Sequence, residues 1–75
     1  MIDATQAAAA VVEYFKTVAG AAGPLGFSVQ HSEAEGDAWV VECSYWEYFG
    51  ARERSSFKVE VDTESGKIRR VQRLT

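Results

Sequence analysis

The sequence predicts an α+β fold, in which one N-terminal helix packs on a four-stranded antiparallel β-meander with strand order 1-2-3-4. Apolar residues recur at helical spacing up to about residue 19 and alternate with polar residues from residue 25 onward, and Gly23 and Pro24 separate the two patterns. The chain has 75 residues, of which 47% are hydrophobic. We therefore expect one small domain, residues 1–75, that folds without a disulfide or a metal.

The helix is predicted over residues 4–19. Asp3 and Gln6 have the spacing of a capping box, and the alanines that follow have high helix propensity. An apolar stripe then continues at helical spacing through Val11, Phe15, Val18 and Ala22. Gly20 is predicted to end the helix as its C′ residue.

Four strands are predicted near residues 25–33, 38–48, 53–62 and 67–74. In the second and third strands the apolar residues occupy odd positions, namely Trp39, Val41, Cys43, Tyr45, Phe57, Val59 and Val61. The helix is therefore expected to cover the odd-numbered face of the sheet. In the first strand the residues of the same parity are Leu25, Phe27, Val29 and His31.

Two details of strand pairing are also predicted. Ile68 and Val71 in the fourth strand have opposite parity, so a β-bulge near Arg69 and Arg70 would place both apolar side chains on one face. For the second and third strands two registers fit the apolar pattern. One sets Glu42 opposite Glu60, and the other sets Glu42 opposite Lys58, Cys43 opposite Phe57 and Trp46 opposite Arg54. The second register is preferred because it pairs opposite charges.

The segment "SYWEYFG", residues 44–50, is the strongest indication of a binding surface. Tyr45 is expected in the core, whereas Trp46 and Tyr48 lie on the face that the helix cannot cover. Exposed aromatic and arginine side chains are enriched in protein interfaces. The predicted partner-binding residues are Val40, Trp46, Tyr48, Arg52 and Arg54. The partner would be a second copy of the chain or another protein. The alternative interpretation is cation–π support of a solvated sheet face.

A basic edge is predicted in the last strand, formed by Lys67, Arg69, Arg70 and Arg73. These side chains could contact phosphates, which makes a nucleic-acid-binding module the competing function. The net charge of the whole chain is −3, and Glu60, Asp62 and Glu64 lie nearby in the sequence. The charges therefore favour a solvated, charge-paired edge over a nucleic-acid interface.

The sequence predicts neither an enzyme nor a metal site, and no cofactor is expected. His31 and Cys43 are the single histidine and the single cysteine, too few soft or imidazole ligands for zinc. Cys43 is expected to be a buried apolar residue, and His31 has no evident partner for acid–base chemistry. The beginning "MIDATQ" lacks a basic signal-peptide region and no apolar run is long enough to cross a bilayer, so a cytoplasmic location is expected.

Three segments, "IDATQAAAAVV", "GDAWVVEC" and "FKVEVDTESGKI", together resemble a PepSY-type domain. Val61, Asp62, Ser65, Gly66 and Ile68 match the closing turn of that family. The resemblance implies a non-catalytic domain, usually outside the cytoplasm, that restrains proteases or senses signals, so a small protease-inhibitor-like domain is a further alternative. The tail also resembles the gas-vesicle accessory protein O family, although the R-x-P segment expected before strand three is absent. Neither resemblance transfers a site residue.

Overall fold

The computed structural model describes residues 1–19 and 25–75. Its elements are α1 (Ala4–Ala19), β1 (Leu25–Glu35), β2 (Ala38–Trp46), β3 (Ser55–Asp62) and β4 (Ile68–Arg73). The four strands form one antiparallel sheet in the order β1-β2-β3-β4, which confirms the predicted α+β fold. The predicted helix end at Gly20 and the break at Gly23 and Pro24 lie outside the described residues.

The capping box at the start of α1 is confirmed. The backbone N–H of Gln6 donates to Oδ1 of Asp3 at 2.8 Å, and the backbone N–H of Asp3 donates to Oε1 of Gln6 at 3.0 Å. These two bonds satisfy N–H groups that have no partner within the first turn of a helix. They fix the start of α1 above one end of the sheet.

The core lies between α1 and the odd-numbered face of the sheet. Phe15 is 1% exposed, and its ring centroid lies 5.9, 5.2 and 5.0 Å from those of Phe27, Tyr45 and Phe57. The other buried members of the core are Ala7, Val11, Val41, Cys43, Val59 and Val61. The prediction that the helix covers the odd face of β2 and β3 is therefore confirmed.

The predicted pairing of β2 with β3 is confirmed. Glu42 lies opposite Lys58 and Cys43 lies opposite Phe57. Among residues 1–19 and 25–75, the side-chain carboxylate of Glu42 and the ammonium group of Lys58 do not form an ion pair within 4.0 Å. The register is therefore held by the alternating apolar side chains of the two strands, with the charge pair contributing only at longer range.

The bulge in β4 is confirmed as well. Glu60 pairs with Arg70 but Val61 pairs with Ile68, so Arg69 is the extra residue. Ile68 and Val71 both pack against the core as a result.

The first strand differs from its predicted pattern. Its pairing with β2 shifts between Leu25 and Ser28 and again between Val29 and His31. Leu25 lies opposite Trp46 and His31 lies opposite Glu42, which are residues of the face away from the helix. The expectation that Leu25 and His31 share the helix-facing side is wrong, because each bulge shifts the alternation by one residue.

One end of the sheet is closed by hydrogen bonds. The backbone N–H of Ile2 donates to the carbonyl of Thr63 at 2.7 Å, and the indole N–H of Trp39 donates to the carbonyl of Ile2 at 3.0 Å. Both the backbone N–H and the hydroxyl of Thr63 donate to the carbonyl of Asp37 at 3.0 Å. We call this the closed end. It holds the N-terminus and the β1–β2 and β3–β4 turns together.

Candidate functional site

The opposite end of the sheet carries large apolar side chains in solvent. The loop between β2 and β3, residues 47–54, presents Tyr48 at 65% exposure and Phe49 at 95% exposure. Gly50 follows with φ +89°, in the region that favours glycine, and the N–H of Ala51 bonds to the carbonyl of Tyr48 at 3.2 Å. This tight turn leaves both rings outside the core. We call the loop together with Leu25 and Trp46 the aromatic end.

An apolar groove is present at the aromatic end, with a volume of about 370 Å³. Its lining residues are Leu25, Trp46, Tyr48, Phe49, Gly50 and Ala51. The pairing of Leu25 with Trp46 brings the first residue of β1 to the last residue of β2. Because the β1 bulge turns Leu25 away from the core, the side chain of Leu25 forms one wall of the groove.

Arg54 holds Trp46 and the beginning of β1 in place beside this groove. Its guanidinium carbon lies 5.2 Å from the centroid of the Trp46 ring, within the range of a cation–π interaction. Its Nε donates to the hydroxyl of Ser44 at 2.9 Å, and its Nη2 donates to the carbonyls of Ser44 and Gly26. Arg54 therefore fastens the start of β1 to β2 and fixes the indole as a wall.

A second, more polar groove of about 450 Å³ adjoins the first and shares Tyr48, Gly50 and Ala51 with it. Its remaining lining residues are Glu47, Arg52, Glu53, Arg54, Ser55, Arg73 and Thr75. Basic side chains thus lie directly beside the exposed aromatic rings. An apolar contact and a charged contact can be made within one small area.

The charged carboxylate of Glu47 is paired with Ser55 and Arg73 inside the polar groove. The hydroxyl of Ser55 donates to Oε1 of Glu47 at 2.5 Å, and Nη1 of Arg73 lies 2.5 Å from the same oxygen. These two partners, the Ser55 hydrogen bond first, hold the pKa of Glu47 below its usual range. The guanidinium of Arg73 also lies over the Phe57 ring at 5.5 Å. The negative charge of Glu47 therefore stabilises the loop through these two contacts.

The predicted partner-binding residues are only partly brought together. Trp46, Tyr48, Arg52 and Arg54 surround the two grooves. Val40 does not belong with them. It lies six residues from Trp46 along β2, about 20 Å at the rise of a strand. It is also only 8% exposed, so the expectation that Val40 forms part of an exposed apolar strip is wrong.

The low exposure of Val40 is explained by the long charged side chains that surround it on the uncovered sheet face. Val40 pairs with Glu33 on one side and with Glu60 on the other, and Glu60 pairs with Arg70. Long side chains of this kind cover neighbouring apolar surface with their methylene groups. A small β-branched residue between them is shielded from solvent.

The basic edge is distributed along β4 and its preceding turn. Arg69 forms an ion pair with Asp37 at 2.8 Å, and Arg73 is held by Glu47. Lys67 and Arg70 are exposed. Arg69 and Arg73 are thus paired with carboxylates, although with different ones from the Glu60, Asp62 and Glu64 that the sequence suggested. The hydrogen bond and charge of Arg69 lower the pKa of Asp37.

Sequence reasoning missed Leu25 and Phe49 as site residues. Phe49 was present in the quoted segment, and its position next to Gly50 is a signal for a turn that points a side chain outward. Leu25 gave no such signal, because its position depends on a bulge in β1 that the alternating pattern does not show.

Comparison with protein-family models, with curated proteins and with solved structures gave no match. The resemblances to PepSY-type domains and to the gas-vesicle accessory protein O family therefore stay predictions.

Neither Cys43 nor His31 lines the grooves of the aromatic end. Burial raises the pKa of the Cys43 thiol to about 11, and Cys43 lies in the core. His31 lies on the uncovered face, where Nε2 is 3.5 Å from a carboxylate oxygen of Glu33. Within residues 1–19 and 25–75, no three His, Cys, Asp or Glu residues are grouped so that they could hold a metal. In the same part of the chain, no helix has the length and apolarity to span a membrane.

Proposed function

We propose that this chain is a non-catalytic interaction module that binds a protein partner through its aromatic end. The observation that carries the proposal is the 95% exposure of Phe49 beside a groove lined by Leu25, Trp46 and Tyr48. Large apolar side chains around a concave apolar surface are typical of binding interfaces. Aromatic residues and arginine contribute most of the binding energy at such surfaces.

The alternative role, support of a solvated sheet, accounts for part of the aromatic segment. The Trp46 ring packs with Arg54 and so stabilises the fold without a partner. Tyr48 and Phe49 are in none of the aromatic pairs of the described residues, and both are mostly exposed. Their exposure costs free energy in water and supports a binding role.

The pKa values of three carboxyl groups support a non-catalytic role. General acids and bases in enzymes commonly have pKa values shifted toward neutrality by burial. The carboxyl pKa values of Asp37, Glu47 and Asp62 are instead lowered by hydrogen bonds and by neighbouring arginines. These carboxylates stay charged at neutral pH and act as hydrogen-bond acceptors within turns and between strands.

The competing function, nucleic-acid binding through β4, is supported less well. Arg69 and Arg73 are engaged by Asp37 and Glu47, so phosphate contacts through these two arginines would have to displace carboxylates. Of the predicted basic edge, this leaves Lys67 and Arg70 as exposed bases outside the ion pairs of the described residues, a small electrostatic contribution for nucleic-acid binding.

Selection from a random peptide library displayed on phage tests the proposal. The wild type, a Tyr48→Ser/Phe49→Ser double variant and a Val18→Ser control would be used as bait. Val18 is 57% exposed on α1 and lies outside both grooves, so the control removes an exposed apolar side chain elsewhere. We expect peptides enriched on the wild type and on the control to be lost on the double variant. Equal enrichment on the double variant, or no enrichment on the wild type, would contradict the proposal.

A further inference from the structure

We infer that the partner segment carries a carboxylate next to its apolar side chain, and that Arg52 and Arg54 recognise this carboxylate. The inference rests on the proposed function and names the chemistry of its ligand. An acidic-apolar peptide segment of another protein is the occupant to which the charges at the aromatic end are complementary.

The first observation is that Arg54 forms no ion pair with a carboxylate within 4.0 Å among residues 1–19 and 25–75. The groups that its guanidinium contacts are the hydroxyl and carbonyl of Ser44, the carbonyl of Gly26 and the ring of Trp46, all of which are neutral. These bonds use Nε and Nη2, whereas a guanidinium has five N–H donors in total. The N–H donors of Nη1 are not used in these hydrogen bonds and are free to bind a carboxylate.

The second observation concerns Arg52. It is exposed in the loop and lines the polar groove, and it forms no ion pair within 4.0 Å in the described part of the chain. Arg73 in the same groove is held by Glu47, so its charge is already matched. Glu53 lines the same groove, but neither Arg52 nor Arg54 forms an ion pair with it within 4.0 Å among residues 1–19 and 25–75. The two guanidinium groups outnumber this one carboxylate, so a net positive charge at this end is available for a partner.

The third observation is that the charged and apolar grooves are continuous. Both are lined by Tyr48, Gly50 and Ala51, and Arg54 contributes to the polar groove while its guanidinium packs on the Trp46 wall of the apolar one. One short peptide segment can therefore place an apolar side chain between Trp46 and Phe49 and a neighbouring carboxylate against the arginines. Planar guanidinium groups bind carboxylates through paired hydrogen bonds, which adds directional specificity.

A second copy of this chain fits the same surface less well. In a two-fold symmetric contact the same patch meets itself. Each patch carries Arg52 and Arg54 with one carboxylate, Glu53, so two surfaces of net positive charge would face each other, and like charges oppose association. A foreign acidic segment replaces this repulsion with attraction.

Two defined probe peptides test the inference by fluorescence anisotropy. Both contain a central Phe-Leu pair and the same fluorophore, and one has two aspartates on each side where the other has two asparagines. They would be titrated with the wild type, Arg52→Gln, Phe49→Ser and a Lys58→Gln control. Lys58 is a partly exposed base in the middle of β3 and lines neither groove. Circular dichroism would confirm that each variant is folded.

At 50 mM NaCl we expect the aspartate peptide to bind the wild type about three- to tenfold more tightly than the asparagine peptide, the range for one or two partly exposed ion pairs. The ratio should approach one at 500 mM NaCl, because salt screens exposed charges. It should fall below about twofold in Arg52→Gln and be retained in Lys58→Gln. Phe49→Ser should weaken both peptides and leave the ratio unchanged.

Equal binding of the two peptides to the wild type at 50 mM NaCl would contradict the inference. If Phe49→Ser then still weakened both peptides, the proposed interaction surface would stand without its preference for acidic ligands. If neither peptide bound at 1 mM, the inference would be wrong, and the library selection would decide the proposed function separately.

Discussion

At Gly26 the backbone has φ +58°, and a Cβ at this position would lie 3.0 Å from Cδ1 of Trp46 and 3.3 Å from Nε1 of the same ring. The position thus combines two demands, a left-handed conformation and close approach of an indole. The bulge that brings Leu25 opposite Trp46 lies at this glycine. The aromatic end depends on it, although the sequence marks Gly26 only as a small residue within an alternating strand.

We predict that Gly26→Ala destabilises the protein by more than Gly36→Ala does. Gly36 has a similar φ of +61° but nothing within 4 Å of its added Cβ, so it reports the conformational cost alone, about 1 kcal/mol. Gly26→Ala must also displace the indole of Trp46, and we expect a total of about 2–3 kcal/mol. Urea denaturation followed by circular dichroism measures both values. Equal destabilisation by the two changes would show that the indole moves aside without cost.

At the scale of single elements, the sequence predicted α1, the pairing of β2 with β3 and the bulge in β4. In each case an apolar pattern decides the geometry, because a shift of one residue would expose the core side chains of β2 or β3 or bury charged ones. The pattern of β1 contains less information. It is an edge strand whose residues are mostly exposed, and burial therefore constrains its alternation weakly. Its two bulges, and with them the positions of Leu25 and His31, could not be deduced.

The residues of the candidate site were likewise only partly predictable from the sequence. The sequence predicts Trp46, Tyr48, Arg52 and Arg54 as a site because aromatic and basic residues of even parity fall on the face that the helix cannot cover. Val40 was included wrongly, because its exposure depends on side chains from the neighbouring strands β1 and β3. Cross-strand neighbours become known only when the register of all three strands is known.

Helix α1 contributes to stability mainly through Phe15. This residue is 1% exposed and its ring contacts aromatic rings from β1, β2 and β3. We predict that Phe15→Ala lowers the free energy of unfolding by about 3–5 kcal/mol, a large fraction of the stability of a small domain. Val18→Ala on the exposed side of the same helix should change it by less than about 0.5 kcal/mol. Chemical denaturation of both variants would check this, and a loss below 1 kcal/mol for Phe15→Ala would contradict the packing described here.

For the whole molecule, three carboxylates make stability depend on pH. Their pKa values are lowered by different contacts: Arg69 acts on Asp37, Ser55 and Arg73 act on Glu47, and the backbone N–H groups of Ser65 and Glu64 act on Asp62. A carboxyl whose folded pKa lies below its unfolded value adds stability above the unfolded pKa, and that stability is lost as pH falls through the folded pKa.

We therefore expect the free energy of unfolding to be nearly constant with respect to these groups from pH 7 to about pH 5, and to decrease below about pH 4, where carboxyls ordinarily titrate. Urea denaturation at a series of pH values measures the slope. Asp62→Asn removes one contributor and should make the acid slope shallower. Stability that stayed level or increased between pH 5 and pH 2 would show that these contacts do not favour the charged forms.

The two ends of the molecule also differ in charge, which bears on self-association. At the closed end Asp37, Asp62 and Glu64 outnumber Lys67 and Arg69 by one charge, whereas at the aromatic end Arg52, Arg54 and Arg73 outnumber Glu47 and Glu53 by one charge. A contact that joins opposite ends would place acidic groups against basic ones, but a head-to-tail contact of this kind does not close unless its rotation generates a ring. A two-fold contact through the aromatic ends closes, yet it brings two surfaces of net positive charge together. The two modes of association therefore respond to salt in opposite ways.

Because we propose that the aromatic end serves a foreign acidic partner, we expect the isolated protein to be monomeric at 100 µM in 50 mM NaCl. Screening of the arginine repulsion should allow weak dimerisation at 1 M NaCl, and Phe49→Ser should abolish it, since the dimer would be held by the exposed rings. Sedimentation equilibrium at the two salt concentrations, on the wild type and on Phe49→Ser, measures this. Association that is strong at low salt and weakens as salt is added would indicate attraction between opposite ends. It would also make a second copy of the chain, joined head to tail, the first partner to consider.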